Sequence, residues 1–170
     1  MNDQVHGKIL IVDDEKNLTL VIRAMLEKQG FSVETWNDSL QAMRRISDST
    51  LELDAVVTDL NMPGATGMEV LEHCTRERPG VPVILITAFG TVEKAVSALK
   101  KGAFDFITKP FDQDELRAAV TKAVQTARLR ENEPVRIWPA AAPRSAVDAR
   151  SVPTPAGFAI SSLVGSSPKM

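Results

Sequence analysis

Ala55-Val56-Val57-Thr58-Asp59-Leu60-Asn61-Met62-Pro63-Gly64 is a short apolar run that ends on a carboxylate and passes directly into a turn. Three other runs end on a polar group in the same way. Lys8-Ile9-Leu10-Ile11-Val12 leads into Asp13-Asp14, Val83-Ile84-Leu85-Ile86 into Thr87, and Phe104-Asp105-Phe106-Ile107-Thr108 into Lys109. Continuous apolar stretches this short suit strands of a parallel sheet covered on both faces. Such a sheet keeps its binding crevice outside the carboxyl ends of the strands. The pattern predicts that three carboxylates, a hydroxyl and an amine converge on one edge, a set fit for metal-assisted acceptance of a phosphoryl group.

Working outward, strand runs alternate with segments of helical period, which is the signature of repeated βα units. Strands are expected near 8–12, 32–36, 55–59, 83–87 and 104–108, and helices near 15–29, 39–47, 67–77, 91–101 and 113–130. Leu18, Val21, Ile22, Met25 and Leu26 form an apolar face for the first helix, with Gly30 at its end. Val92, Ala95, Val96 and Leu99 make a similar face for the fourth, closed by Gly102. Asp112 with Glu115 reads as a capping box opening the fifth, whose inner face is Leu116, Val120, Ala123 and Ala127. Ser32-Val33-Glu34-Thr35-Trp36 alternates in polarity and suits a sheet edge. Right-handed crossovers then favour a doubly wound, flavodoxin-like α/β fold, a (βα)5 parallel sheet in the order 2-1-3-4-5.

Composition narrows the function. A formal net charge of -2 gives no surplus of Lys and Arg for a phosphate backbone, so direct nucleic-acid binding by this chain is not expected. No apolar stretch approaches the roughly 20 residues of a membrane span, and the N-terminus does not resemble a signal peptide. The single cysteine, Cys74, has no intramolecular partner and reads as a packing residue, so a cytoplasmic location is expected.

Asp13, Asp14 and Asp59 brought together would repel one another by roughly 4 kcal/mol per pair at an effective dielectric near 20. A cluster of that kind protonates or holds a cation, and oxygen-only ligation favours Mg²⁺ over zinc. His6 and His73 are not expected beside it. Asp13 and Asp14 taken alone suit capping of the first helix equally well. Lys109 can hold a phosphoryl oxygen as a point charge, and Lys109-Pro110 is a candidate cis peptide. Thr87, followed by small Ala88, can hydrogen-bond an arriving phosphoryl group.

Asp13-Asp14, Asp59, Thr87 and Lys109-Pro110, with their spacing, resemble the pattern of bacterial response-regulator receiver domains across about residues 8–130. The resemblance implies that Asp59 accepts a phosphoryl group from the phosphohistidine of a sensor histidine kinase. It implies Mg²⁺ held by Asp14, Asp59 and the backbone carbonyl of Asn61, with Asp13 supporting through water. Thr87 would turn toward the acyl phosphate while an aromatic residue, here Phe106 in place of a frequent Tyr, turns inward. Phe106 has no hydroxyl, so it can signal only by filling or leaving an apolar pocket. The same resemblance implies a homodimer through the helix 4–strand 5–helix 5 face, with Gly90 and Thr91 opening that region.

The stretches Ala88–Val96 and Lys101–Asp112 are similar to NtrC-type regulators, which activate transcription by the sigma-54 form of RNA polymerase. Those proteins join a receiver to an AAA+ ATPase and a DNA-binding domain. Residues 1–7 are then an N-terminal extension and 8–130 the receiver. Residues 131–157 form a Pro/Ala-rich linker, and 158–170 are similar to the opening of the ATPase module. The Gly-rich phosphate loop of an ATPase is not in this sequence, so the chain is read as a phosphoacceptor and not an enzyme in its own right. The alternative is a stand-alone receiver serving as a phosphorelay carrier or diffusible switch. A flavodoxin-like cofactor binder is disfavoured, because Asp13-Asp14-Glu15 would repel the phosphate.

Overall fold

The computed structural model describes residues 6–132. Its elements run β1 (Lys8–Val12), α1 (Lys16–Glu27), β2 (Ser32–Trp36), α2 (Ser39–Ile46), β3 (Ala55–Asp59), α3 (Gly67–Glu77), β4 (Val83–Thr87), α4 (Val92–Lys100), β5 (Asp105–Thr108) and α5 (Gln113–Asn132). The five strands pair in parallel in the order β2-β1-β3-β4-β5, as expected. Alternate residues on β1, β3 and β4 feed two cores. Ile9, Ile11, Val57 and Ile84 face α1 and α5, while Leu10, Val12, Val56 and Leu85 face α2 and α3. Burial on both sides explains why these strands carry no polar residue before their last two positions, Lys8 at the opening of β1 aside.

The helices begin where side chains satisfy their free N–H groups. Asp38 accepts from Leu40 N and Gln41 N at the start of α2, and Thr91 accepts from Lys94 N at the start of α4. The reciprocal capping box lies at α3, between Thr66 and Glu69. At α5, Asp112 accepts from Asp114 N, but among the described residues Glu115 returns no bond, so the box expected there is half formed. α5 also runs to Asn132, two residues past its expected end, because nothing breaks the helix before Pro134. The linker and ATPase-like stretches lie otherwise outside the described residues, as does Trp138.

Two apolar faces depart from expectation. In α1, Val21 is exposed and Thr19 is buried in its stead, bonded to Lys16 O. In α4, Val92, Val96 and Leu99 stand 81%, 44% and 49% exposed, and Ala98 is the residue that enters the core. Helical period locates an apolar stripe without saying what covers it. Ala98 alone brings α4 into the second core, and the larger side chains are left outward.

Candidate functional site

Parallel register fixes the site. Val12 pairs with Thr58, Asp59 with Ile86, and Thr87 with Thr108, so the residues that end β1, β3, β4 and β5 meet on one rim. The backbone continues the ladder past the strand ends: Asp13 N donates to Trp36 O, Leu60 N to Ile86 O and Lys109 N to Thr87 O. These bonds aim adjacent side chains into one crevice, which accounts for chemistry drawn from separate segments of the chain.

Asp13, Asp14 and Asp59 each offer a carboxylate oxygen, all within 4.8 Å of one another. Asp13 and Asp59 are buried and Asp14 is exposed. Lys109 Nζ reaches Asp13 Oδ2 at 3.1 Å and Asp59 Oδ1 at 3.5 Å, and the Lys109-Pro110 bond that follows is cis. Burial and then the Asp13 charge raise the Asp59 pKa to about 6, against the opposing pull of Lys109. Burial acts to lower the Lys109 pKa, but its bonds and charge interactions with Asp13 and Asp59 outweigh it and hold the ammonium firmly protonated. One ammonium faces three carboxylates, so the rim is short of positive charge. The donors are hard oxygens with no His or Cys among them, which fits Mg²⁺.

The helix-cap reading of Asp13 and Asp14 accounts for one bond only. Glu15 occupies the cap position of α1 without a side-chain bond, and Asp13 Oδ1 accepts from Glu15 N at 2.9 Å. Thr87 is fully buried, and its hydroxyl accepts from Asn61 Nδ2 at 3.1 Å and from Phe89 N at 3.2 Å. Phe106 is partly buried against the second core. His6 lies against Gly30 O and His73 against Met43 O, both in contacts outside the acidic cluster. Cys74 is buried, and burial pushes its thiol up to about 12, so it packs and does not react.

Several supporting residues escaped the sequence reading. Asn37 Nδ2 donates to Asp13 O at 2.7 Å, fixing the backbone of the acidic pair. Gly67 opens α3 directly behind the β3 turn. Its N–H donates to Leu60 O at 2.8 Å, and a Cβ there would collide with Asp59 O and Leu60 Cα. A glycine, a poor helix former, standing directly after the cap residue of a helix was the available signal. The Asn61 side chain, as distinct from its carbonyl, had no signal, because its bond to Thr87 depends on register.

The comparisons with known proteins agree with this geometry. Residues 9–121 match the model of the response regulator receiver domain. The nitrogen assimilation regulatory protein NtrX of Azorhizobium caulinodans is 40% identical over 124 residues, which are 72% of this chain and 27% of that protein. The chain spans less than a third of the length of the curated relatives it matches. A crystal structure of NtrX from Brucella abortus in complex with ADP superposes with a TM-score of 0.68 at 31% identity, covering 74% of this chain and 29% of that one. The solution structure of a beryllofluoride-activated NtrC4 receiver domain dimer gives a TM-score of 0.66 at 32% identity, covering 71% and 98%. Among the described residues, no helix is long and apolar enough to cross a membrane. A family match over most of the described residues, on a five-stranded sheet with its acidic groups at the rim, places this chain among the response regulator receiver domains, in their NtrC-type branch.

Proposed function

We propose that this chain is a phosphorylation-controlled switch that takes a phosphoryl group onto Asp59 from a sensor histidine kinase. The observation that carries the reading is the gathering of Asp13, Asp14 and Asp59 within 4.8 Å, with Lys109 Nζ at 3.1 and 3.5 Å. An Asp59 carboxylate oxygen attacks phosphorus, the new O–P bond forms, and the P–N bond to the kinase histidine breaks, returning the electron pair to the imidazole. Asp14, Asp59 and the Asn61 carbonyl would hold Mg²⁺, with Asp13 behind. When bound, the ion neutralises charge on the phosphoryl oxygens and on the clustered acids. Lys109, already oriented by Asp13, holds a phosphoryl oxygen, and Thr87 exchanges its bond from Asn61 for one to the acyl phosphate.

The response passes to the face of α4, β5 and α5, where Val92, Val96 and Leu99 are exposed, and this face pairs with a second copy. In a longer cytoplasmic protein of the sigma-54 activator type, residues 8–130 would regulate ATPase and DNA-binding domains joined through the linker at 131–157. The ADP complex of the NtrX relative and the receiver dimer of NtrC4 support this extension. The chain then acts as a phosphoacceptor with slow self-hydrolysis.

Incubation with acetyl phosphate and Mg²⁺, followed by intact mass, tests the acceptor reading. One phosphoryl group is expected, absent in Asp59→Asn and absent when the metal is chelated. Modification at another residue, or none in the wild-type chain, refutes it. Lys109→Ala is expected to retain Mg²⁺ binding but lose the oligomeric response to phosphorylation; an unchanged response contradicts the role given to Lys109.

A further inference from the structure

Gly90 stands in the turn between β4 and α4, and it is not among the glycines of positive φ, so backbone conformation does not require glycine there. Space does. A Cβ at this position would lie 2.6 Å from Thr108 Cγ2, 3.0 Å from Phe106 Cε1 and 3.3 Å from Thr87 Cγ2. Side-chain carbons do not approach to the first of those distances without something moving. The three neighbours come from the ends of two paired strands, with Thr87 in register with Thr108 and Leu85 with Phe106. The turn therefore lies flat across β4 and β5, directly on the hydroxyl-bearing and aromatic residues to which the proposed switch belongs. None of the three nearest atoms is a carboxylate or part of Lys109.

The helix beyond this turn is lightly anchored. Thr91 caps α4, and α4 places a single fully buried side chain, Ala98, in the core. A Cβ at position 90 must displace either the turn, and with it the start of that helix, or the Thr108 methyl at the exposed end of β5, and the turn is the side of the contact that leads into α4. We infer that Gly90 is a positioning residue of the switch: its bare Cα lets the β4–α4 turn rest on Phe106 and Thr108, and this contact carries the state of Thr87 to α4. The inference rests on the phosphoacceptor reading and adds a residue that acts after the chemistry.

The test compares the 170-residue wild-type chain with Gly90→Ala and with Gly90→Ala/Thr108→Ser, each treated with acetyl phosphate and Mg²⁺. Intact mass reports acceptance, and ¹H–¹⁵N spectra report the shift changes of amides in Val92–Lys100. All three chains are expected to take one phosphoryl group. In Gly90→Ala the α4 shift changes fall at least about threefold, the size of a modest coupling loss. Thr108→Ser deletes the Cγ2 that a Cβ at position 90 would strike first, and it restores most of the response. A purely structural glycine would lower the melting temperature without separating acceptance from the α4 response.

A wild-type response in Gly90→Ala overturns the inference, as does a double variant that responds no better than the single one. Loss of a dispersed spectrum in both variants also overturns it, since position 90 would then serve folding and not signalling. A wild-type chain that gains no phosphoryl mass refutes the acceptor reading itself, a result visible before any variant is made.

Discussion

At the β2 edge, Glu34 is surrounded by donors; at the carboxyl rim, Asp59 sits mainly among other acids. Arg45 grips Glu34 at 2.7 and 3.1 Å, Trp36 Nε1 donates to it at 2.8 Å and Lys8 Nζ lies 3.5 Å away. Arg45 also holds Asp48 at 2.8 Å. The bond from Arg45, with the contributions of Trp36 and Lys8, keeps the Glu34 carboxyl below its ordinary range despite partial burial. Asp59, buried beside Asp13 with one shared lysine, is driven the other way, to about 6. The first cluster is satisfied, and it covers an open sheet edge with charge. The second is left unsatisfied, and the deficit is what a divalent cation and a phosphoryl group would fill. Stability is thus lower where the chain is to react, and the difference between the clusters separates a structural ion network from a candidate site.

The largest expected effect breaks the deficit directly. A carboxyl whose native pKa is above its unfolded value binds more protons when folded, so stability falls as pH rises from about 4 to about 6 and then levels. Asp59→Asn removes that cost. Without divalent cations at pH 7 it should stabilise the chain by up to about 3 kcal/mol, about two pH units at 1.36 kcal/mol each, and the gain should vanish near pH 4. Denaturant melts at the two pH values measure this; a destabilised variant at pH 7 would show the rim to be satisfied after all.

Glu34→Gln should move stability in the opposite direction and less, a loss of about 0.5–1 kcal/mol at pH 7 for a partly exposed ion network. The Glu34 pKa is lowered by folding, so its contribution is present above the unfolded value and is lost as pH falls through the native one. The gap to wild type should therefore close on acidification. A gap that widens would contradict the contrast. Outside both clusters, Val96→Ser on the exposed α4 stripe should change stability by no more than about 0.5 kcal/mol. A larger loss would mean that the stripe is part of the core.

The two clusters were unequally legible in the sequence. Asp13, Asp59, Thr87 and Lys109 each follow a continuous apolar run, and a parallel sheet leaves little choice about where such residues meet. Every strand falls within one residue of its expected place for the same reason. The β2 network could not be read, because Arg45 reaches Glu34 from α2, a separation of 11 residues that only the packing of α2 on β2 resolves. α4 was misread where α5 was not. α5 buries Leu116, Val120, Ala123 and Ala127 as expected, while an equally apolar stripe on α4 stays outside. Periodicity reports that a face is apolar, and only tertiary structure says whether this chain or another surface covers it. The spatial demand at Gly90 could not be read because it is set by Phe106 and Thr108 on another strand, whereas Gly67 packs on the nearby Asp59 and Leu60 and its place at a helix start was the signal available.

Isothermal titration with MgCl₂ at pH 7, wild type against Asp59→Asn, addresses the rim most directly. One binding event in the wild-type chain, weakened at least about tenfold in the variant, is the predicted result. No heat of binding in the wild type, or an identical isotherm in both, would show that the gathered carboxylates do not form a divalent-cation site.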